Sequence, residues 1–400
     1  MNLMLNNARF LHASLFLSLV LVSFTFWSCD QTGSPSAPTA TSTNVLPTSI
    51  APASGPTNWS GQPAFIQQAI AVQARHEASL LAIPGVIGDG IGLSKTKLNT
   101  AVILVFTSQT GVAGIPSSFE GIQTQTTMVG NVTAHAVYTG TYRSPLPCGV
   151  TVGDNDECAS GSIGAIVTSS RTSSTNTTYG GAVTVYRNQY SWGSNTPKYM
   201  LSCNHVFANE NSATGTNQQD QPGRYDVNCS TSGAVGKLHS WNFIKHTRNT
   251  TNYYDAALAE CNPGLSGGWS PAMMSNASTT PYTLSYTPAN TTVAPSVGMP
   301  IKKTGRTSGY NTGTIAGINV TITVGYTHFN AVFVDQIYVS NGTYIQAGDS
   351  GSMSVVNNSG GTNDGDPVGL DFAGSSSASF MNRMDHIAND FGLSFVQSSF

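Results

Sequence analysis

Short apolar runs alternate with turn residues along most of the chain after residue 146. Gly, Asn, Ser and Pro separate runs rich in Val, Ile, Tyr and Phe, a pattern of short strands that predicts a sandwich or barrel architecture. The runs that predict strands are 161–170, 181–188, 198–203, 313–326, 331–340, 351–358 and 367–374. A C-terminal helix is predicted at 381–393, with an apolar face formed by Met381, Met384, Ile387 and Phe391.

The preceding segment, 61–145, predicts a small α/β unit. Residues 63–82 have apolar positions at helical spacing, and Pro84 is expected to end that helix. The glycines of 85–92 are interpreted as hairpin or strand glycines and not as a phosphate-binding loop, because no helix follows them. Strands are predicted at 85–93, 100–107 and 122–130.

The N-terminus has the pattern of an export signal. Arg9 precedes an apolar run at 10–27, which is too short and too early for a spanning helix and fits a signal h-region. The run ends at FWSCDQ, which resembles a bacterial lipoprotein signal with Cys29 as the lipidated residue. Phe26 stands where that motif usually has Leu. Residues 1–29 are therefore either a lipoprotein signal or an ordinary secretory signal that is cleaved nearby.

Residues 30–60 contain Pro, Ser and Thr with few residues to bury, which predicts a linker. Behind a lipid anchor, this linker would hold the following domain away from a membrane. We therefore expect an exported protein, located in the bacterial cell envelope as a lipid-anchored protein or secreted.

Composition limits the class of function. Only 9% of the 400 residues are charged, 39% are apolar and the net charge is −3. This is typical of a turn-rich β protein from outside the cytoplasm, and the weak net charge argues against nucleic acid as the main partner. The eight His are scattered and no Cys-x-x-Cys occurs, so neither a metal site nor a cofactor is predicted.

The chain contains six cysteines. If Cys29 carries a lipid, an odd number remains, so one is unpaired or pairs between molecules. Cys148 and Cys158 are close in sequence and could close a small loop, so a disulfide between them is predicted. The sequence leaves open the pairing of Cys203, Cys229 and Cys261.

Ser350 is the candidate nucleophile. It follows Asp349 in the sequence IQAGDSGSMSV (345–355), where a run of turn residues interrupts an apolar, strand-like stretch. These residue types favour a tight turn, but they also fit a nucleophile loop. A serine hydroxyl is a weak nucleophile, and it needs an imidazole base that is oriented by a carboxylate.

His205 and Asp255 are the candidate base and orienting acid. His205 lies where the apolar run of YMLSCNHVFANE (199–210) ends, so its side chain can project into a cleft. Asp255 leads into an apolar run in NYYDAALAEC (252–261), where a carboxylate needs hydrogen-bond donors such as an imidazole N–H. The order His205, Asp255, Ser350 is that of chymotrypsin-type enzymes.

The blocks CNHVFA, YDAALAE and AGDSGS resemble the catalytic blocks of the trypsin/chymotrypsin-like serine peptidases. KTGRTSGYNTGTI (303–315) is similar to a segment of the bacterial branch that contains α-lytic protease and the streptogrisins. With QPGRYD (221–226) and GLDFAGSS (369–376), it most resembles a bacterial trypsin-like group related to the plant narrow-leaf type proteins. The resemblance covers 146–400 and, more weakly, 61–145.

The resemblance implies a mainly β fold, a chymotrypsin-like double antiparallel β-barrel with a small N-terminal α/β domain at 61–145. The first barrel is expected at about 146–290, and the second barrel with the C-terminal helix at 291–400. The triad would lie in the cleft between them. Segment 61–145 is either a pro-segment that is cleaved or a permanent domain.

The same resemblance assigns roles to residues around the triad. The backbone N–H groups of Gly348 and Ser350 would form the oxyanion hole. Arg306 would form a supporting ion pair with Asp349. Ser352 stands where the usual motif has a second Gly. The substrate is expected to contact Tyr344, at the base of the specificity pocket, and a strand that contains Phe372, Ala373 and Gly374.

Two functions follow from these patterns. The first is an exported serine endopeptidase acting on protein or peptide substrates through His205, Asp255 and Ser350. The alternative is a catalytically inactive binding or scaffold protein on the same fold. The presence of all three triad residues favours the first. The sequence does not indicate an oligomeric state.

Overall fold

The computed structural model describes residues 59, 61–130, 139–142, 144–171, 177–179, 183–187, 191–214, 216–276 and 283–400. The predicted signal with Cys29, and the predicted linker up to residue 58, lie outside the described residues. The α-helices are α1 (Ala64–Leu81), α2 (Asn204–Phe207) and α3 (Met384–Phe391), and short 3-10 helices lie at Asn209–Asn211 and Arg224–Val227. None of the helices in these described ranges combines the length and the hydropathy needed to cross a membrane.

The strands before residue 290 are β1 (Val86–Leu93), β2 (Ala101–Thr107), β3 (Ser118–Phe119), β4 (Ile122–Met128), β5 (Leu146–Cys148), β6 (Thr151–Asp154), β7 (Gly161–Ser162), β8 (Ala165–Ser169), β9 (Thr177–Tyr179), β10 (Val183–Arg187), β11 (Tyr199–Ser202), β12 (Gln218–Asp220), β13 (Ala234–Asn242), β14 (Ala257–Cys261), β15 (Trp269–Asn276) and β16 (Thr283–Leu284). Those after it are β17 (Pro300–Gly305), β18 (Gly309–Gly325), β19 (Asn330–Val339), β20 (Met353–Val356), β21 (Pro367–Gly374), β22 (Ser379–Arg383) and β23 (Leu393–Phe395).

The later strands close into an antiparallel barrel. The strand order is β17-β20-β21-β22-β19-β18, and β17 also pairs with β18, which completes the ring. Every pairing in this ring is antiparallel. The barrel forms because these strands carry long apolar faces, which a closed sheet buries without leaving an open edge.

An earlier group of strands closes in the same way. β6, β12, β13, β14, β11 and β8 are antiparallel neighbours in that order, and β6 also pairs with β7. Only Ile163 and Gly164 separate β7 from β8, and their amides donate to the carbonyls of Val150 and Leu201. β7 and β8 therefore act as one interrupted strand and complete a second ring. The predicted chymotrypsin-like double barrel is confirmed by this strand pairing.

The α/β segment continues the sheet of the later barrel. β1 pairs with β18 on one side and with β2 on the other, and β4 is parallel to β2. A Cβ atom at Gly88 would lie 2.3 Å from the carbonyl oxygen of Thr321, so a side chain there would prevent the pairing of β1 with β18. Gly88, Gly90 and Gly92 lie within β1 and Gly85 lies in the turn before it, so the interpretation as hairpin or strand glycines is confirmed.

Two predicted details differ from the structure. Residues 381–383 belong to β22, and α3 begins only at Met384. The pairing of β22 with β19 and β21 therefore overrides the helical spacing at its start. The predicted Cys148–Cys158 disulfide is wrong, since Cys158 is bonded to Cys229. Cys148 is buried in β5, where its thiol donates to the Ser270 carbonyl at 3.8 Å.

Candidate active site

His205 and Asp255 are joined by a short hydrogen bond. β11 ends at Ser202 and α2 begins at Asn204, so His205 projects from the first turn after a core strand. Its Nδ1 lies 2.6 Å from Asp255 Oδ2, and its backbone amide donates to Asp255 Oδ1 at 3.2 Å. Asp255 has no exposed side-chain surface, whereas the His205 side chain is 16% exposed. The imidazole is therefore partly accessible, while its Nδ1 is hydrogen-bonded to Asp255.

The electrostatic surroundings favour protonation of His205. Burial is the largest single effect and opposes the imidazolium, but the charge and hydrogen bond of Asp255, together with the charges of Glu210 and Glu157, outweigh it. The pKa of His205 consequently lies above its ordinary value. An imidazole in this setting is suited to accept a proton from a nearby hydroxyl.

Asp255 is held from both barrels. It lies two residues before β14, and its amide donates to Asn382 Oδ1 at 3.2 Å. Its Oδ2 also accepts a hydrogen bond from the Tyr326 hydroxyl at 2.8 Å. Tyr326 follows β18 in the later barrel, and sequence reasoning did not identify it. Its signal in the sequence is only an aromatic residue at the end of a predicted strand.

Ser350 lies in a tight loop before β20. Its carbonyl accepts the Ser162 amide at 2.8 Å, which ties this loop to the earlier barrel. The Asp371 carbonyl accepts both the Gly351 amide, at 2.8 Å, and the Cys203 thiol, at 3.3 Å. One carbonyl therefore links the residue after Ser350 to the strand end that carries His205. The structure brings the three predicted segments to one place.

The Ser350 hydroxyl is not engaged with the imidazole. Among the described residues it donates to the Phe372 carbonyl, at 3.4 Å, and Ser350 is only 2% exposed. A hydrogen bond of that length is weak. A rotation about χ1 therefore costs little when it moves Oγ away from Phe372.

The loop before Ser350 presents two backbone donors. Gly348 has a φ of 95°, which favours glycine, and its carbonyl accepts the Ser162 hydroxyl at 2.8 Å. Within the described part of the chain, the amides of Gly348 and Ser350 donate to no protein acceptor. These are the two N–H groups predicted to form an oxyanion hole, and both belong to buried residues.

Asp349 is compensated by Lys303, and the predicted Arg306–Asp349 pair is wrong. Lys303 Nζ lies 2.6 Å from Asp349 Oδ2, and neither side chain has exposed surface. The backbone amides of Thr307 and Gln346 also donate to this carboxylate, at 2.7 and 2.9 Å. Because β17 alternates its faces, Lys303 points to the side of the nucleophile loop.

Arg306 binds a different carboxylate. Its guanidinium makes two hydrogen bonds to Asp226, of which Nε–Oδ2 measures 2.9 Å, and its amide donates to the Ser162 hydroxyl at 2.9 Å. Gly305, not Arg306, approaches the nucleophile loop, since a Cβ at Gly305 would lie 2.4 Å from Asp349 Oδ1. Asp226 belongs to the QPGRYD block, which the sequence singled out without a role.

All four predicted substrate-binding residues are buried. Phe372, Ala373 and Gly374 lie in β21, next to Ser350 through the Phe372 carbonyl. Tyr344 is fully buried, and its hydroxyl is 2.8 Å from Ser354 Oγ. Its ring closes over Gly313, so Tyr344 offers a substrate no surface in this structure.

Ser352, which departs from the usual glycine, belongs to a buried polar network. Its hydroxyl donates to Asp371 Oδ2 at 2.6 Å, and the Ser354 hydroxyl donates to Oδ1 at 2.7 Å. Burial raises the pKa of Asp371 to about 7, although the charge of Lys303 and these two hydrogen bonds oppose the shift. The serine at 352 therefore helps to compensate a buried carboxyl.

Cys203, His205 and Asp255 could in principle hold a metal ion, because their ligand atoms lie within 4.8 Å of one another. The sequence did not indicate this group. Each side chain has another partner in the structure, since His205 binds Asp255 and the Cys203 thiol donates to Asp371. The hydrogen bonds of the site account for the proximity of these three residues.

Comparison with known proteins gives structural likenesses. Neither protein-family models nor curated proteins match the chain. A glutamic acid-specific serine protease is 16% identical, with a TM-score of 0.37, over 63% of this chain and 100% of its own. Thermobifida fusca protease A (11%, TM-score 0.37) and a Nocardiopsis protease (14%, TM-score 0.36) each align over 63% of this chain and 99% of their own.

Proposed function

We propose that the protein is an exported serine endopeptidase that hydrolyses peptide bonds through an acyl-enzyme intermediate. The observation that carries this proposal is the 2.6 Å contact between His205 Nδ1 and buried Asp255. It fixes the imidazole tautomer, so that Nε2 is the atom left to accept a proton. The adjacent loop supplies both a hydroxyl and unpaired amides.

The reaction follows from these positions. The Ser350 Oγ rotates away from Phe372 and attacks the substrate carbonyl carbon while His205 Nε2 takes its proton. The amides of Gly348 and Ser350 stabilise the oxyanion of the tetrahedral intermediate. His205 then donates the proton to the leaving amine, which departs and leaves an ester on Ser350. Water, deprotonated by His205, attacks that ester; His205 then returns the proton to Ser350 Oγ as the bond from the acyl carbon to Oγ breaks, and the acid is released.

Labelling with a fluorophosphonate probe tests the proposal. Wild-type protein should be labelled at one serine, and Ser350→Ala and His205→Ala should lose the label. Ser376→Ala, which changes an exposed serine beyond β21, is the matched control and should be labelled like wild type. Correctly folded wild type that takes up no label would favour the alternative, an inactive binding or scaffold protein on this fold.

Export is part of the proposal, and the Cys158–Cys229 disulfide supports it. Disulfides persist in oxidising compartments and are rare in the cytosol. We expect protein or peptide substrates outside the cytoplasm, reached from a lipid anchor at Cys29 or after secretion. Fatty-acid labelling of wild type and Cys29→Ala separates these two routes, because only an anchored protein loses label in the variant.

A further inference from the structure

Tyr326 lies where the two barrels meet at the candidate triad. Its hydroxyl donates to Asp255 Oδ2 at 2.8 Å, the same oxygen that contacts His205 Nδ1. The Tyr326 ring also meets the His205 ring edge to face, with centroids 5.8 Å apart. One side chain of the later barrel therefore contacts both the acid and the base of the earlier barrel.

The position of Tyr326 is determined by its own surroundings. Its amide donates to the Phe329 carbonyl at 2.8 Å, which closes the turn between β18 and β19. The next amide, that of Thr327, donates to Glu210 Oε1 at 2.9 Å. The ring packs against Phe329 and Phe333, with centroids 5.1 and 6.1 Å away. A hydroxyl held in this way is directed at Asp255 before any substrate binds.

We infer that Tyr326 is a positioning residue of the triad. Its hydroxyl fixes the orientation of the Asp255 carboxylate, and the negative charge of that carboxylate is shared between Tyr326 and His205. This inference rests on the proposed peptidase function. Because Oδ2 accepts from both Tyr326 and His205, the phenol withdraws part of the negative charge that stabilises the imidazolium. The acid is buried, so no water replaces the phenol as a donor unless the ring moves.

Charge sharing predicts the direction in which the pH profile should move, whereas a purely structural role of Tyr326 predicts none. In Tyr326→Phe the ring remains, but His205 is the one donor to Asp255 Oδ2 that is left among the described residues. The carboxylate then stabilises the imidazolium more strongly, so the midpoint of the kcat/KM–pH profile should move to higher pH. The other charged groups that face His205, Glu210 and Glu157, are unchanged in this variant. Loss of positioning should also lower kcat by roughly tenfold, as for a hydrogen bond to a charged group.

The experiment compares full-length wild type, Tyr326→Phe and Tyr338→Phe on one peptide substrate across pH, together with fluorophosphonate labelling. Tyr338 packs against Phe106 and Phe380 and is the control for loss of a tyrosine hydroxyl that has no bond to the triad. The expected result is an upward midpoint shift and a lower kcat in Tyr326→Phe alone. An unchanged midpoint and kcat in Tyr326→Phe, with active wild type, overturns the inference and leaves the peptidase proposal intact.

A second substitution should shift the midpoint of the kcat/KM–pH profile in the opposite direction. Fluorinated tyrosine at position 326 keeps the ring and makes its hydroxyl a stronger donor, so it should shift the midpoint to lower pH. A midpoint that stays the same, or that rises, contradicts charge sharing even if Tyr326→Phe is too unstable to assay. If wild type itself neither labels nor turns over substrate, the peptidase proposal fails, and the inference fails with it.

Discussion

Lys303 and Asp349 form a buried ion pair beneath the nucleophile loop, with 2.6 Å between Nζ and Oδ2. The pair joins β17 of the later barrel to the residue immediately before Ser350. A buried charge without its partner is strongly unfavourable, whereas a compensated pair can hold a loop in one conformation. The shape of the loop that presents Ser350, Gly348 and their amides therefore depends on a lysine that lies far away in sequence.

Replacement of Lys303 by Met should destabilise the protein by about 3–5 kcal/mol, because Asp349 remains buried without a cation. It should also abolish labelling of Ser350 in any protein that stays folded. Lys302→Met is the control, since Lys302 binds Asp364, whose side chain is 29% exposed. Chemical denaturation measures the free energy of unfolding of both variants. Equal unfolding free energies for the two would contradict a special role for Lys303.

Removal of the disulfide by Cys229→Ser should cost about 4 kcal/mol of stability, because the bond closes a loop of 71 residues. Cys148→Ser should leave the bond intact, since Cys148 is a buried thiol whose pKa burial raises to about 12. Peptide mapping under non-reducing conditions should find Cys158 linked to Cys229. A Cys148–Cys158 peptide would overturn this assignment.

Stability should decrease as pH rises because of Asp89. Burial and the nearby charge of Glu77 raise the pKa of Asp89 well above its ordinary value. Its Oδ1 has no partner among the described residues, while Gln73 reaches Oδ2 at 3.3 Å. The folded state thus binds a proton that the unfolded state releases. The stabilisation is complete below the unfolded pKa and is lost as pH rises through the folded pKa.

Asp89→Asn should remove this contribution, since an amide cannot ionise. Unfolding free energies measured from acid to neutral pH should then fall less steeply than in wild type, by up to about 1.4 kcal/mol per pH unit. Asp156→Asn, in an exposed turn, serves as the control. If the unfolding free energies of wild type and Asp89→Asn depended on pH in the same way, Asp89 would not be the group that binds this proton.

Activity should rise with pH as His205 loses its proton, with a midpoint above the ordinary value for histidine. Asp255 contributes most among the groups that raise the pKa of His205, and Glu210 adds to it. Glu210→Gln removes this negative charge but keeps an oxygen that can accept the Thr327 amide. We expect its kcat/KM midpoint to shift to lower pH. A shift in the opposite direction would show that Glu210 acts by positioning the turn and not by its charge.

Local patterns accounted for much of the fold. Strand β21 spans 367–374, as the sequence predicted, and α1 differs from the predicted helix by one residue at each end. β13 was not predicted, because its sequence AVGKLHSWN lacks a regular alternation of apolar and polar residues. Its place between β12 and β14 arises from pairing, which depends on neighbours that are distant in sequence.

The charged and thiol pairings could not be predicted in the same way. Lys303 and Ile301 share a face of β17, and both are fully buried, so strand alternation alone contained a signal for a buried lysine. Nothing local indicates that Arg306 binds Asp226 or that Cys158 binds Cys229. The family resemblance suggested Asp349 as the partner of Arg306, and closeness in sequence suggested Cys148 as the partner of Cys158.

The sequence by itself determined the residue types and their order: the strand and turn pattern, the strand glycines, and the segments that carry His205, Asp255 and Ser350. These are local properties, since the spacing of apolar residues, the turn-forming residues and the residue types depend only on a few neighbouring positions in the chain. Only the tertiary structure decided which groups compensate one another, including Lys303 with Asp349 and Tyr326 with Asp255. Closure of the barrels brings those atoms together. A buried charge is unfavourable without a hydrogen-bond donor or an ion-pair partner, and the closed sheets determine which groups lie near enough to provide one.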